Sequence, residues 1–295
     1  MDRDRNSDRD NKRRFLFEEM DVRGEIVHID SVLSQLRAIH DYPSGVANLL
    51  GEFVVASLLL ASTLKFRGTL TVQARSERQI PLIMAEATDD LAVRAIARGA
   101  QEAVAMDFPS LLGGGQLVLT VTPTQGKRYQ GIVPLADESL AKSIDSYFEQ
   151  SEQLQTRLYL ASDGEHAAGL LLQQLPAQLV TDANQRNDQW DHLRILADTL
   201  GPRELLDLAD ASLLQRLYQN ENLRLFDPQP VAFKCSCSRE RTLAALASIG
   251  EGEIRSILDE QGSVTMDCEF CNQRYVFSPE DLQDLLSTPG TASLH

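Results

Sequence analysis

Four cysteines are the residues of this 295-residue chain best placed to do chemistry. They are Cys235, Cys237, Cys268 and Cys271, spaced C-x-C, thirty residues, then C-x-x-C. Two close pairs separated by a short stretch present four thiolates to one tetrahedral ion. The first pair sits in "VAFKCSCS", which reads as a strand, where residues i and i+2 point to one face and can grip one ion. The second, "DCEFCN", has the spacing of a zinc-knuckle turn, and Asn272 after it tolerates a left-handed conformation. A zinc site with all four cysteines as ligands is the reading the spacing favours. A thioredoxin-like dithiol competes, but Cys268 is not at a strand-to-helix junction. Scattered core cysteines also compete, against a pattern of two tight pairs and nothing elsewhere. Whether the zinc is only structural stays open at this point.

No other constellation forms a reaction centre. The triple glycine Gly113–Gly115 lacks the Lys-Ser/Thr of a phosphate loop and reads as a turn into a strand. His28, His40, His166, His192 and His295 are dispersed, outside any H-E-x-x-H or G-x-S-x-G motif. Asp89-Asp90 reads as turn chemistry. The expectation is a protein that is not an enzyme.

Composition narrows the partners. With 43 acidic against 28 basic side chains, the formal charge is −15, which argues against binding nucleic acid. The sign-alternating segment 1–14 reads as a disordered, solvated tail. The longest apolar stretch, 53–64, is bracketed by Glu52 and Lys65. It falls short of the roughly twenty residues of a membrane span, so it is expected to be a buried helix, with no membrane partner. No secretory signal follows the charged start, so the expected location is cytoplasmic. Thiols stay reduced there, which favours zinc over structural disulfides.

The elements that must position the cysteines follow from pattern. Helices are predicted over 31–39 and 46–64, the second apolar nearly all round and therefore central. Strands are predicted over 68–74, 80–87, 116–123 and 128–135, with Gly126 supplying the positive φ of a hairpin turn. A helix from an Asp137 cap to 149 precedes an antiparallel pair, "QTRLYLAS" and "AAGLLLQQLP". The fold class is α+β: a mixed helix and antiparallel-sheet core over 15–182, a helical linker over 183–230 and a small four-cysteine zinc module over 231–295. In the linker, Pro202 starts a helix with Leu206, Ala209, Leu213 and Leu217 on one face. "DPQP" (227–230) is an extended strap. In the module, Ser238 caps a helix to 249, a second runs 251–260 to Gly262, "SVTMDCEFCNQRYVFS" is a hairpin with the cysteines at its tip, and Ser278-Pro279 opens a last helix. So short a module has a marginal core of its own, and metal binding contributes ~10–16 kcal/mol of apparent folding energy at such sites.

Zinc-bound sulfur is deprotonated, and oxidants carry thiolates through sulfenic acid to disulfide. Each close pair is a ready disulfide partner set, and a C-x-C ring is of the strained, readily reduced kind. Together with "VRGE" (22–25), "TLKFRG" (63–68), "RYQGIV" (128–133), "YFEQSEQLQTRL" (147–158), "FKCSCSRER" (233–241) and "CEFC" (268–271), this resembles the redox-regulated 33 kDa heat-shock chaperonins, a bacterial holdase family. The likeness covers about 14–286. It implies zinc on Cys235, Cys237, Cys268 and Cys271 in a reduced, inactive form. It also implies Cys235–Cys237 and Cys268–Cys271 disulfides with zinc loss in an oxidised one. The client-holding form would be a homodimer that binds unfolding proteins without ATP. Two departures stand out: "RSERQIP" (75–81) lacks the family's turn glycines, and Asn272 replaces a glycine after C-x-x-C.

Overall fold

Alternation of apolar and polar residues builds two six-stranded sheets, and one apolar helix lies between them. The computed structural model describes residues 9–63, 67–135, 138–151 and 154–287. In chain order the first elements are β1 (Asn11–Phe17), β2 (Val22–Ile29), α1 (Ser31–Ile39), α2 (Ser44–Ala61), β3 (Gly68–Arg75), β4 (Leu82–Thr88) and β5 (Ala92–Arg98). Then come α3 (Phe108–Leu112), β6 (Gln116–Pro123), β7 (Tyr129–Pro134), α4 (Leu140–Ser151), β8 (Thr156–Ser162) and β9 (Ala167–Gln174). The linker holds α5 (Ala183–Ala197), α6 (Pro202–Asp207), α7 (Asp210–Leu217), β10 (Leu223–Leu225), β11 (Gln229–Pro230) and β12 (Ala232–Phe233). The last elements are α8 (Arg239–Leu246), α9 (Glu251–Gln261), β13 (Val264–Asp267), β14 (Arg274–Phe277) and α10 (Gln283–Ser287).

One sheet runs β10-β1-β2-β9-β8, with β11 also on β1; the other runs β12-β5-β4-β3-β6-β7. Helix α2 packs on β2, β8 and β9 of the first and on β3, β4 and β5 of the second. By length and composition alone it could cross a membrane, yet most of it is buried inside the protein. The approach is close: a Cβ on Gly169 of β9 would lie 2.4 Å from Val55 Cγ1, so glycine is required there. The opposite face of the first sheet carries Phe15, Phe17, Val22, Ile26, Leu170 and Leu172, covered by Trp190, Leu193, Leu205, Leu213, Leu214 and Tyr218 of the linker.

The structure differs from the sequence reading in several places. Residues 11–14, expected in the disordered tail, form the start of β1, because its alternate residues Arg13, Phe15 and Phe17 face the linker side. The expected Asp137 cap and residues 1–8 lie outside the described residues. The linker helix is not continuous. Leu208 and Ala209 are extended (ψ 145° and 148°), which ends α6 and starts α7 with buried Asp210 in its first turn. The strap is not a bare tether: Gln229 and Pro230 pair with β1, and Ala232–Phe233 runs parallel to β5. Because Lys234 N–H still donates to Val93 O, the chain divides into two compact units after Lys234, four residues beyond the expected boundary.

Candidate metal centre

The C-terminal unit has a small apolar core, Leu246, Ile254, Val264, Phe277 and Leu282. On it the sequence builds two short cysteine-bearing segments. Cys235 and Cys237 follow β12 but lie on irregular backbone, not on the expected strand, since pairing with β5 ends at Phe233. Their segment is fixed from its C-terminal side. Ser238 caps α8, its Oγ accepting the Arg241 N–H, while Arg241 Nη1 donates back to Ser236 O at 2.8 Å. Arg239 lies 4.4 Å over the Phe277 ring and donates to Val276 O at 2.8 Å, which ties this segment to β14.

Cys268 and Cys271 sit at the tip of the β13–β14 hairpin, as expected. Met266 pairs with Tyr275 and Asp267 with Arg274, and the Asp267–Arg274 ion pair (2.8 Å) closes the neck. Within the tip, Cys268 N–H donates to Gln273 O, and Asn272 N–H to Cys268 O at 2.7 Å. That turn requires φ of +55° at Asn272, so asparagine does here what glycine does elsewhere.

These segments bring all four Sγ atoms within 4.8 Å of one another, each half-buried. Cys235 Sγ lies 3.6 Å from Cys268 Sγ, and Cys237 Sγ lies 3.4 Å from Cys271 Sγ. A tetrahedron with Zn–S bonds of about 2.3 Å has sulfurs about 3.8 Å apart, so the donor set fits one such ion. Burial pushes the Cys268 and Cys271 thiols up from their ordinary range. Four crowded thiolates therefore need a divalent cation among them. Tyr275 Oη donates to Cys237 Sγ at 3.2 Å. The sequence reading missed this tyrosine and Arg239. The signal for Tyr275 lay in hairpin register, since it faces Met266 two positions before Cys268. A cleft of about 630 Å³ in the other unit, at α1 and the start of α2, contains none of these groups.

The sequence pattern of the Hsp33 protein family matches residues 10–278. This chain belongs to the Hsp33 family. It is 48% identical over 285 residues to the 33 kDa chaperonin of Pseudomonas aeruginosa strain UCBPP-PA14, covering 96% of both chains. It is also 48% identical over 290 residues to the 33 kDa chaperonin of Azotobacter vinelandii, covering 97% of this chain and 98% of that one. The fold matches the crystal structure of the 33 kDa chaperonin (heat shock protein 33 homolog) from Thermotoga maritima, with a TM-score of 0.79 at 21% identity, over 94% of this chain and 98% of that one. The α+β class with a four-cysteine cluster is thus that of the Hsp33 fold.

Proposed function

We propose that this chain is a redox-regulated, ATP-independent holdase, inactive when reduced and zinc-bound. Oxidation to two disulfides, with loss of zinc, would activate it to protect unfolding proteins from aggregation. The observation that carries the reading is the convergence of Cys235, Cys237, Cys268 and Cys271 in a unit with so small an apolar core. When bound, zinc would keep the four sulfurs as thiolates and hold the two segments together.

The residues then act as follows. A thiolate attacks a peroxide oxygen, the O–O bond breaks, and sulfenic acid and hydroxide result. Its pair-mate attacks that sulfur, a second hydroxide leaves, and one disulfide has consumed one peroxide. The 3.6 and 3.4 Å contacts run between the two pairs. Closing Cys235–Cys237 and Cys268–Cys271 at about 2.0 Å therefore pulls each segment off the other. With the module loosened, mild heat would let β12, β11 and β10 peel from β5 and β1, and the linker would leave the core. The active form is read as a cytoplasmic homodimer that holds polypeptides rather than nucleic acid or membrane.

Chain purified under reductant should carry one equivalent of zinc, released by peroxide as four thiols disappear. No zinc, two equivalents, or zinc release with all thiols intact contradicts the assignment. Catalysed insulin reduction would point instead to a thiol–disulfide oxidoreductase.

A further inference from the structure

Strand β1 is an interior strand only because the linker makes it one. Its inner edge pairs with β2 along nearly its whole length, while its outer edge carries β10 and β11, both from the linker. The β10 register sets Phe15 opposite Leu225, Leu16 opposite Arg224 and Phe17 opposite Leu223. Main-chain bonds continue past the strand: Phe226 N–H donates to Arg14 O, and Glu18 N–H to Asn222 O, each at 2.9 Å. Leu223 and Leu225 pack with the cluster that buries Phe15 and Phe17. Phe226, one residue further on, is held between the guanidinium groups of Arg14 and Arg224, 5.7 and 5.3 Å from its ring centre. This edge therefore already holds an extended segment with apolar residues at alternate positions followed by an aromatic.

An edge strand recognises its partner mainly through main-chain hydrogen bonds, which every sequence offers, and adds selectivity through alternate side chains. We propose that once the linker has left, the outer edge of β1 binds client polypeptide as an added antiparallel strand, in the place β10 occupies now. The occupant is an extended stretch of an unfolding protein with alternate apolar residues and a flanking aromatic. The inference rests on the reading of the linker as releasable. It makes β10 an internal stand-in for client, whose displacement frees the site.

Hydrogen exchange on the oxidised full-length chain tests it, with a peptide copying residues 219–231 as probe. A second peptide is N-methylated at Arg224 and Phe226, removing the Phe226 donor and its neighbour on the same strand. Without peptide, the outward-facing amides of Arg14, Leu16 and Glu18 should exchange openly, while the alternate amides stay bonded to β2. With the first peptide, or with a heat-unfolding client, the outward amides should slow at least tenfold, and that peptide should compete with client. The methylated peptide should do neither. Client holding that leaves these outward amides open, or equal competition by both peptides, overturns the proposal while leaving the holdase reading intact. Protection of the outward amides that appears without peptide and grows with chain concentration makes the edge a seam between copies and overturns it too. If the outward amides stay protected in dilute oxidised chain, the linker has not left, and both readings fall.

Discussion

The Tyr275 hydroxyl, 3.2 Å from Cys237 Sγ, donates to a sulfur that must carry charge to hold a cation. Partners of this kind steady a ligand, and removing one weakens metal affinity by roughly tenfold or more. Tyr275→Phe should therefore release zinc to a competing chelator about ten times more readily and shorten the lag before oxidation, as read by a zinc-sensitive dye. Unchanged zinc competition would remove Tyr275 from the account. Elsewhere, Glu52 on α2 is hemmed in by protein, and burial pushes its carboxyl up from 4.5 to about 7. A carboxyl raised on folding binds its proton more tightly in the native state, so its contribution to stability falls as pH rises from about 4.5 through about 7. Urea midpoints from pH 5 to 8 should fall more steeply for the natural chain than for Glu52→Gln; parallel slopes would contradict this. At this scale the four cysteines were legible because their spacing is itself the signal. Tyr275 and Arg239 were not, since an ordinary strand tyrosine and helix arginine gain a role only once register and turn bring them to the cluster.

Among the elements, the linker decides whether the sheet face is covered. His28 on β2 and Asp210 on α7, each side chain 2% exposed, form an ion pair at 2.9 Å, and His28 Nε2 donates to Leu205 O at 2.7 Å. At the linker's root, Asp21 accepts the N–H groups of Gln178, Leu179 and Val180 and pairs with Arg186 at 3.1 Å. Removing one member of a buried pair leaves the other desolvated, which costs about 3–5 kcal/mol. Asp210→Ala should therefore speed exchange of linker amides, residues 183–217, by roughly a hundredfold to a few thousandfold in the reduced chain. It should also give client holding without oxidant. Exchange at the natural rate would show that the pair does not hold the linker. The apolar helix pattern foretold α2, and β6 fell where alternation placed it. Several strands escaped: β1 reads as a charged tail, β2 hides its burial behind Arg23, Glu25 and His28, β5 ("AVRAIAR") carries a weak alternation of small residues, and β10 is three residues inside a helical linker. The extended break at Leu208 and Ala209 was hidden because both residues suit a helix. What ends it is tertiary: it lets Asp210 reach His28 while Leu213 and Leu214 reach the sheet.

For the whole molecule, the account is a chain of dependence running from four sulfurs to one sheet face. The C-terminal unit has a small core, and under the proposed function the metal would supply the ~10–16 kcal/mol of folding energy that such sites contribute. The linker adds strands to both sheets of the other unit, at β1 and at β5, before it reaches Cys235. Its buried cluster is larger than the module's, so under the proposed function loss of zinc alone would leave it docked at low temperature. Unfolding rates rise about three- to sixfold per ten degrees, so mild heat would complete what oxidation begins. The boundary after Lys234 was not legible because parallel pairing of a two-residue strand leaves no pattern in sequence. The most direct measurement is suppression of light scattering by a heat-denaturing client. It should be followed over time for reduced zinc-loaded chain, for chain under peroxide at two temperatures, and for oxidised chain returned to reductant and zinc. The account predicts no holding by the reduced form, slow activation by peroxide in the cold, fast activation in the warm, and loss of activity on reversal. Equal holding by the reduced, zinc-loaded chain would contradict it.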